Sequence, residues 1–505
     1  MVEGAGLMWL LAKRPVLRGL RAKGKKQSDG TDRLMKEGGT SLTSSLSRRA
    51  LLGWTASAAS AAIAAAMAPT GRSAAAPADL RISNAPSVAR TFFVSSSGSD
   101  DADGMTLESA WATIQKANSS LPVDSSVLLF RRGDTFYGEL NLPFGCEVGS
   151  YGSGARPILT MYKQLNAPQG WDEHADGVWK IDLGSPDTHG GYTATNDANV
   201  GFLVVEGVVK PALKFALSDL DAPWDFYCDI PNDTLYVRSS GNPATIASDI
   251  NAAPKGNAYG ATGAVIHCAK GGNDIHDVHV TGTGGCGIRG NGSDVHIHDC
   301  LIDYIGGSWL AGQPVDNTRY GNAIENWPNV SRWTVEKNEI AQVYDVAWSP
   351  QGRDQNGGPV FWEDMTIRDN YIHDCGQMFE IWSQNSNAES PGFVRILIEN
   401  NVCERAGYGV FSDVRPDQDV RVHLLSYRLQ TPVDVTIQNN TFDDAYSAYS
   451  YHAEGPPSGY VTRNNTIRLK AGTKMQFQRP ETVEQAADWQ AATGRESGST
   501  ITVLP

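Results

Sequence analysis

The chain has 505 residues and a formal net charge of −14, and only 19% of its residues are charged. Residues 1–75 hold 12 Lys/Arg and 4 Asp/Glu, a net of +8 that leaves −22 for the rest. An acidic body of this kind argues against nucleic acid and against anionic membranes as partners.

The N-terminal segment predicts an export signal. We interpret residues 1–34, which are basic and irregular, as an upstream extension without structure that precedes a true start at Met35. Residues 35–76 contain SLSRRALLG, an Ala-rich run and a small-residue cleavage pattern at 74–76, which resemble a twin-arginine export signal. The alternative is a retained anchor in residues 50–68, but that run is rich in Ala and Ser rather than Leu. We therefore predict a secreted or periplasmic protein with no stable membrane insertion after cleavage.

Residues 90–160 predict short strands broken by Gly and one short amphipathic helix, on which Ala110, Ile114 and Ala117 share a face. The order FFVSSSGSD, AWATIQKA and VLLFRRGDTFYG is similar to the opening of secreted right-handed parallel β-helix proteins of the pectate-lyase-like superfamily. The resemblance implies that the helix caps the open end of a solenoid and that the protein acts on carbohydrates.

Residues 161–260 interrupt this pattern. GFLVVEGVVKPALKF and PWDFYCDIPNDTLYVRSSGNP predict two β-hairpins, the second turning at Pro231–Asp233. We interpret the segment as a small β insertion. Similar insertions occur in hydrolases of the superfamily, which slightly favours that class.

Residues 261–470 repeat one pattern of alternating apolar and polar residues that ends near an Asn. The copies are VHIHDCLID, WTVEKNEIA, MTIRDNYIHDCG, ILIENNVCERAG, VTIQNNTFD and YVTRNNTIRL, with a fainter VHVTGTGG before them. Alternation predicts half-buried strands, and recurrence predicts stacked coils of a solenoid with loops of varying length. The fold class is therefore an all-β, right-handed parallel β-helix, with residues 471–505 as a C-terminal cap.

The recurrent asparagines are predicted to be structural rather than catalytic, because they occur in successive coils. Asn tolerates left-handed backbone and can form hydrogen bonds along a stack of like residues. The members of this stack are Asn338, Asn370, Asn401, Asn440 and Asn465. The seven cysteines are an odd number and widely spread, so they do not indicate a disulfide framework, and no Cys/His cluster indicates a zinc site.

Chemistry is expected where coils depart from the repeat, because solenoid insertions build the binding surface. Counted from the Asn of its own coil, Asp345 lies at +7, Glu380 at +10 and Asp413 at +12. Carboxylates one or two coils apart have the separation that glycoside hydrolysis needs, and burial beside Trp382 would raise the pKa of Glu380. The catalytic candidates are Glu380, Glu325, Asp413, Asp345 and Asp316.

Aromatic and basic residues lie in or beside the same expanded loops, and aromatic faces suit the stacking of sugar rings. The candidates for substrate binding are Trp327, Trp348, Trp382, Arg319, Arg353, Arg415 and His423. The alternative role for the tryptophans is to pack the loops against the coil. His373 and His452 lie on the same side of the ladder and are predicted to be structural.

Three functions remain open from the sequence. The first is a secreted glycoside hydrolase with paired carboxylates, acting on a polysaccharide as a monomer and requiring no cofactor. The second is a polysaccharide lyase acting on uronic-acid polymers, which could use Ca²⁺. The third is a non-enzymatic glycan-binding or surface β-helix. The acidic body favours the hydrolase over a lyase, because it repels a polyanion unless Ca²⁺ intervenes.

Overall fold

The structure is a computed structural model that describes residues 89–184, 198–256, 263–310, 318–354, 357–384, 389–415, 417, 420–451 and 459–505. The predicted upstream extension, the predicted export signal, Asp316 and His452 lie outside the described residues. Within those residues, no helix combines the length and hydrophobicity needed to cross a bilayer.

Three long parallel sheets form a right-handed parallel β-helix. Sheet 1 consists of Arg90–Val94, Asp124–Arg131, Phe144–Tyr151, Asp274–His276, Val295–His298, Val330–Glu336, Phe361–Arg368, Gly392–Glu399, Val433–Gln438 and Tyr460–Arg463. Sheet 2 consists of Thr135–Tyr137, Ile158–Thr160, His279–Thr283, Leu301–Ile305, Glu339–Val343, Tyr371–His373, Val402–Ala406, Thr441–Ala445, Thr466–Lys470 and Thr500–Leu504. Sheet 3 consists of Leu140–Asn141, Ala264–His267, Cys286–Gly290, Ile324–Asn326, Val346–Arg353, Gln377–Gln384, Val422–Tyr427, Ser447–Tyr451 and Lys474–Gln476.

The core is made by the inward residue of each strand stacking on its counterpart in the next coil. In sheet 1 the stacked positions are fully buried and in register, and they are Ile297, Val335, Ile367, Ile398 and Ile437. One coil cannot bury its own apolar face, so the stability of each coil depends on its neighbours. The predicted fold class is confirmed.

The asparagines form a continuous buried ladder. From Asn338 to Asn465, each side-chain amide donates to the Oδ1 of the next Asn, at 3.1, 2.9, 2.9 and 3.2 Å. The last amide donates to Oε2 of Glu496 at 2.9 Å. This fully buried carboxyl also accepts from the hydroxyls of Tyr449 and Ser499, at 2.6 and 2.5 Å.

Left-handed backbone lies one residue before each Asn of the ladder, not at the Asn itself. The φ angles are 55°, 56°, 58°, 58° and 54° at Lys337, Asp369, Asn400, Asn439 and Asn464. Hydrogen bonding therefore explains the recurrent Asn, and the tolerance of Asn for this backbone does not.

Both ends of the solenoid carry a short helix. The N-terminal helix spans Ile114–Ser120 and buries Ile114 and Ala117, so Ala110 precedes the helix and does not share its face, contrary to the prediction. At the other end, Ala486–Thr493 is helical, and Thr500–Leu504 pairs with the last repeat strand of sheet 2. The remaining helical segments are short: Pro243–Ile246, Pro168–Gly170, Leu217–Asp219, Ile230–Asn232, Ser412–Val414 and Val483–Gln485.

The segment between the first coils and the main ladder contains two further sheets. One consists of Lys163–Gln164, Val200–Val205, Val208–Lys210 and Ile250–Pro254. The other consists of Trp171–Ala175, Val178–Asp182, Leu213–Lys214, Phe226–Asp229 and Thr234–Arg238. Both predicted hairpins are confirmed. A small ribbon, Ser308–Trp309 with Arg319–Tyr320, extends one coil. All seven cysteines are buried, and none forms a disulfide bond.

Candidate active site

Two glutamates face outward from two coils of sheet 3 that are separated by the strand Val346–Arg353. Glu325 pairs with Ser349, and the pairing of Trp348 with Phe379 places Glu380 beside Ser349 on the next strand. Trp348 and Phe379 fill the core, so the alternating residues point away from it. With strands about 4.8 Å apart, the two glutamate backbones lie roughly 10 Å from each other.

Glu325 is held by three nitrogen donors, and the Cys286 thiol lies 3.7 Å from its Oε2. It accepts from Nε of Arg289 at 2.5 Å, from the Asn322 amide at 3.0 Å and from the Gln351 amide at 2.7 Å. Arg289 is the direct neighbour of Glu325 in the register of sheet 3. Glu325 therefore sits as one half of a buried ion pair with a fixed orientation.

Glu380 lies in a different environment, without an ion-pair partner among the described residues. Its Oε1 accepts from the Tyr427 hydroxyl at 2.8 Å, and its Oε2 accepts from the Gln377 amide at 3.1 Å. The side chain is 3% exposed. Burial, followed by the negative charge of Asp345, raises the pKa of Glu380 to about 8, so this carboxyl keeps its proton at neutral pH.

Asp345 precedes the strand Val346–Arg353 and forms an ion pair with Arg415, with 2.9 Å between Oδ1 and Nη2. Burial nevertheless raises the pKa of Asp345, and it outweighs the opposite effect of Arg415. A fifth of the Asp345 side chain remains exposed, which makes it the most accessible carboxylate of the three. We refer to Glu325, Asp345 and Glu380 as the carboxylate cluster.

Arg415 connects the cluster to the surrounding coil. It donates to the Tyr344 carbonyl at 2.5 Å, to Asp417 at 3.2 Å and to the Gln377 side-chain oxygen at 3.0 Å. Its guanidinium also lies 5.2 Å from the centre of the Tyr344 ring. These contacts fix Arg415 between Asp345 and Gln377, and Gln377 in turn reaches Glu380.

Aromatic side chains pack beside the cluster. Trp382 stacks on Tyr427 with ring centres 5.9 Å apart, and Trp327 packs against this pair and against the Arg289 guanidinium at 5.4 Å. Trp382 is 6% exposed, whereas Trp327 is only partly buried. Trp327 is therefore the aromatic surface that a ligand can reach.

The structure brings together six of the predicted candidates: Glu325, Asp345, Glu380 and Arg415, with Trp327 and Trp382 packed beside them. Asp413 does not join them. It is exposed on the turn Ser412–Val414 and forms no hydrogen bond or ion pair with a described residue of the cluster.

Three predicted substrate contacts need correction. Trp348 is fully buried in the core, and His423 is buried against Phe442, with its pKa lowered to about 3 by burial, so neither can contact a substrate. Arg319 is buried as well, and it donates to the carbonyls of Gly307 and Gly201 at 2.6 and 2.9 Å. Its role is therefore to tie the insertion to the coil.

Two further predicted residues lie outside the cluster. Arg353 is half-buried at the end of its strand opposite Gln384. His373 lies on sheet 2 and bonds to Asp374 at 2.7 Å, which raises its pKa.

The sequence did not point to Gln377, Tyr427, Arg289 or Asp417. Arg289 could have been found from the strand register, because it lies one coil before Glu325 at the same position. The other three depend on contacts between coils that no local pattern encodes.

No protein-family model matches the chain, and no curated protein matches it. The chain is similar to several solved structures, among them the following three. A complex of XylC with xylose has a TM-score of 0.44 at 12% identity, over 76% of this chain and 64% of that one. A structure described as a glycoside hydrolase has a TM-score of 0.41 at 9% identity, over 82% of this chain and 96% of that one. A lacto-N-biosidase from Eubacterium ramulus has a TM-score of 0.39 at 12% identity, over 82% and 68%. Similarities of this size define neither a substrate nor a reaction.

Proposed function

We propose that this protein is a glycoside hydrolase that cleaves a polysaccharide with Glu380 as general acid and Asp345 as the partner carboxylate. The observation that supports this most is the difference between the two groups. Glu380 is protonated at neutral pH, whereas Asp345 is paired with Arg415. A pair of carboxyls in different environments, one with its pKa raised to about 8 and one held by an arginine, is what acid-assisted glycoside cleavage requires.

In this mechanism Glu380 donates its proton to the glycosidic oxygen as the bond to the sugar breaks. Asp345 then either attacks the anomeric carbon or takes a proton from the attacking water. Arg415 holds Asp345 in position, and Gln377 fixes the orientation of Glu380 relative to Arg415. Trp327 supplies an aromatic face for a sugar ring.

Glu325 acts through its charge in this scheme. Its three donors hold it in place, and its negative charge contributes to the raised pKa of Glu380. A lyase would need an arginine free to neutralise a uronate. Arg289 and Arg415 are instead already paired with carboxylates of the protein.

The reaction class is tested by incubating the protein with a panel of neutral and uronic-acid polysaccharides. New reducing ends without the ultraviolet absorbance of an unsaturated uronate are expected. Appearance of that absorbance would show that the protein is a lyase and not a hydrolase. Release of no product from any glycan, with retained binding, would indicate a carbohydrate-binding protein.

The assignment of the partner carboxylate predicts different effects of Asp345→Asn and Glu325→Gln. Asp345→Asn is expected to lower kcat/KM by about 100- to 10,000-fold, because the group that completes the reaction is lost. It should also shift the alkaline limb of the pH profile to lower pH, because the Asp345 charge raises the pKa of Glu380. Glu325→Gln should show a smaller loss. A larger loss of kcat/KM in Glu325→Gln than in Asp345→Asn, measured on the same substrate, would make Glu325 the partner carboxylate.

Tyr427→Phe is expected to shift the alkaline limb of kcat/KM to higher pH. The Tyr427 hydroxyl donates to the carboxylate form of Glu380 and lowers its pKa, so without the hydroxyl Glu380 keeps its proton to higher pH. The Phe ring can still stack on Trp382. Tyr371→Phe is the matched control, because it removes a Tyr–Glu hydrogen bond at the surface, to Glu404 at 3.0 Å. An unchanged profile in Tyr427→Phe would exclude Glu380 as the acid.

We also propose that the enzyme acts outside the cytoplasm. The support is the sequence of residues 35–76 alone, with its paired Arg48 and Arg49. Replacing both arginines by Lys should retain the protein in the cytoplasm, which cell fractionation would detect.

A further inference from the structure

A group of histidines and carboxylates lies on the outward face of sheet 1, away from the strands that carry the carboxylate cluster. The strands Asp274–His276 and Val295–His298 are paired, with Asp274 beside His296 and His276 beside His298. Ile275 and Ile297 point into the core, so the alternating polar residues share the outer face.

Three ligand atoms converge in this group. Oδ1 of Asp274 lies 3.4 Å from Nδ1 of His296 and 3.2 Å from Nε2 of His298. Zn²⁺ binds nitrogen and oxygen ligands at about 2.0–2.1 Å with tetrahedral geometry, which places neighbouring ligand atoms about 3.3–3.4 Å apart. The observed separations match that spacing.

The same oxygen lacks the hydrogen bond that an ordinary ion pair would provide. Oδ1 of Asp274 is shielded from solvent and accepts no hydrogen bond of acceptable geometry from the described residues, although two imidazoles lie close to it. The Asp274 side chain as a whole is nearly half exposed, so this arrangement is not imposed by a tightly packed interior. A cation between the three atoms would satisfy all of them.

The other nitrogen of each imidazole faces a second carboxylate. Nδ1 of His298 lies 2.7 Å from Oδ2 of Asp299, and Nε2 of His296 lies 3.3 Å from Oε1 of Glu336. Histidines that bind metals usually donate their remaining N–H to a carboxylate, which fixes the tautomer and turns the free nitrogen toward the metal. Both histidines show this arrangement.

His276 supports the pair from one side. Its ring stacks on His298 with 5.1 Å between centres and an interplanar angle of 18°. Gly149 provides the space for this ring, because a Cβ at that position would lie 2.5 Å from the ring of His276. The position of His298 is therefore set by packing as well as by Asp299.

We propose that Asp274, His296 and His298 bind one divalent transition-metal ion, of which Zn²⁺ is the best match. Two imidazoles and one carboxylate favour Zn²⁺, Ni²⁺ or Co²⁺ over Ca²⁺ and Mg²⁺, which prefer oxygen ligands. The ligands come from two consecutive coils, so the ion fastens these coils to each other. The site would leave at least one coordination position for water.

The experiment is a calorimetric titration of the full-length protein with ZnCl₂ after treatment with EDTA and dialysis. One Zn²⁺ per chain is expected. His296→Ala and His298→Ala should each weaken this binding more than 100-fold, and Asp299→Asn about 10- to 100-fold, because Asp299 orients His298. His279→Ala is the matched control, since His279 also pairs with an aspartate, Asp303 at 2.7 Å, but on sheet 2.

Asp274→Asn keeps the shape of the side chain and serves if an alanine variant fails to fold. The melting temperature of the wild type should rise with Zn²⁺, and that of the ligand variants should not. Absence of stoichiometric binding in the wild type, or equal binding in the wild type and in the His296 and His298 variants, would overturn the site.

Discussion

Glu380→Gln is expected to lower kcat/KM by about 100- to 10,000-fold on any glycan that the wild type cleaves, because the amide cannot donate the proton that Glu380 carries. The same substitution is expected to stabilise the protein at alkaline pH. A catalytic group that is unfavourable for folding when ionised should show both effects at once.

The stability effect follows from the direction of the pKa shift. In the unfolded chain Glu380 titrates near its ordinary pKa of 4.5, whereas burial in the native state raises the pKa to about 8. Between these values the native state binds more protons than the unfolded state, so the free energy of unfolding of the wild type falls as pH rises. Glu380→Gln lacks this decline. The free energy of unfolding of Glu380→Gln should therefore exceed that of the wild type above about pH 4.5. The difference should grow until about pH 8 and then stay constant.

Urea denaturation at several pH values, together with the kinetic assay, separates the two effects. Glu363→Gln is the control, because Glu363 is an exposed carboxylate on sheet 1 that pairs with Arg395. It should change neither activity nor the pH dependence of stability by much. Full activity of Glu380→Gln would exclude Glu380 as the acid, and an unchanged pH dependence of stability would show that its pKa is not raised.

Asn401→Ala is expected to lower the free energy of unfolding by about 2–4 kcal/mol, because it opens the ladder in its middle and leaves buried groups without partners. The Asn401 side chain accepts from the backbone and side chain of Asn370, at 3.1 and 2.9 Å, and donates to the Ile367 carbonyl at 3.0 Å. It also donates to Asn440 at 2.9 Å. Thermal or urea denaturation measures the change.

The neighbouring position provides a matched control. Asn400 is exposed and has a φ of 58°, a conformation that glycine adopts without strain. Asn400→Gly should therefore shift stability by less than about 1 kcal/mol. Equal stability of Asn401→Ala and the wild type would mean that the ladder only marks the alignment of the coils and does not stabilise them.

The coils and the ladder were predictable because their signals are local. Alternation marks each strand, and the recurrence of Asn one residue after a left-handed turn marks the point where sheet 1 ends in each coil. Both hairpins of the insertion followed from the same kind of local pattern. The start of the N-terminal helix did not, because Ala110 is buried without being helical.

The site was predictable only in part. Loop expansion drew attention to Glu380, Glu325, Asp345 and Arg415, which the structure brings together, but the offsets from the Asn did not separate these residues from Asp413. The offset runs through a turn between sheets, where alternation is interrupted. Asp345 at an odd offset lies just before its strand and joins the cluster, whereas Asp413 at an even offset falls on a short helical turn.

The burial of Trp348 and His423 could not be predicted from the sequence either. Each belongs to a strand of sheet 3 whose facing direction was unknown without its register, and both side chains are buried. The histidine pair of the proposed metal site was overlooked for a different reason. His296 and His298 do not have the spacing of a Cys/His zinc motif, because they are separated by one residue, a spacing that places two imidazoles on one face of a strand.

The ladder also has a direction and a defined end. All hydrogen bonds between the side chains of the ladder run toward the C-terminus, and the series ends on Glu496, whose carboxyl accepts from Asn465, Tyr449 and Ser499. An extra coil with its own Asn, inserted between Asn401 and Asn440, would continue the series of side-chain hydrogen bonds unchanged. A coil added beyond Glu496, or a second molecule docking end to end, would have to displace a buried carboxyl that offers no further donor. The ladder of side-chain amides therefore ends on a carboxyl whose oxygens accept from three donors within the protein.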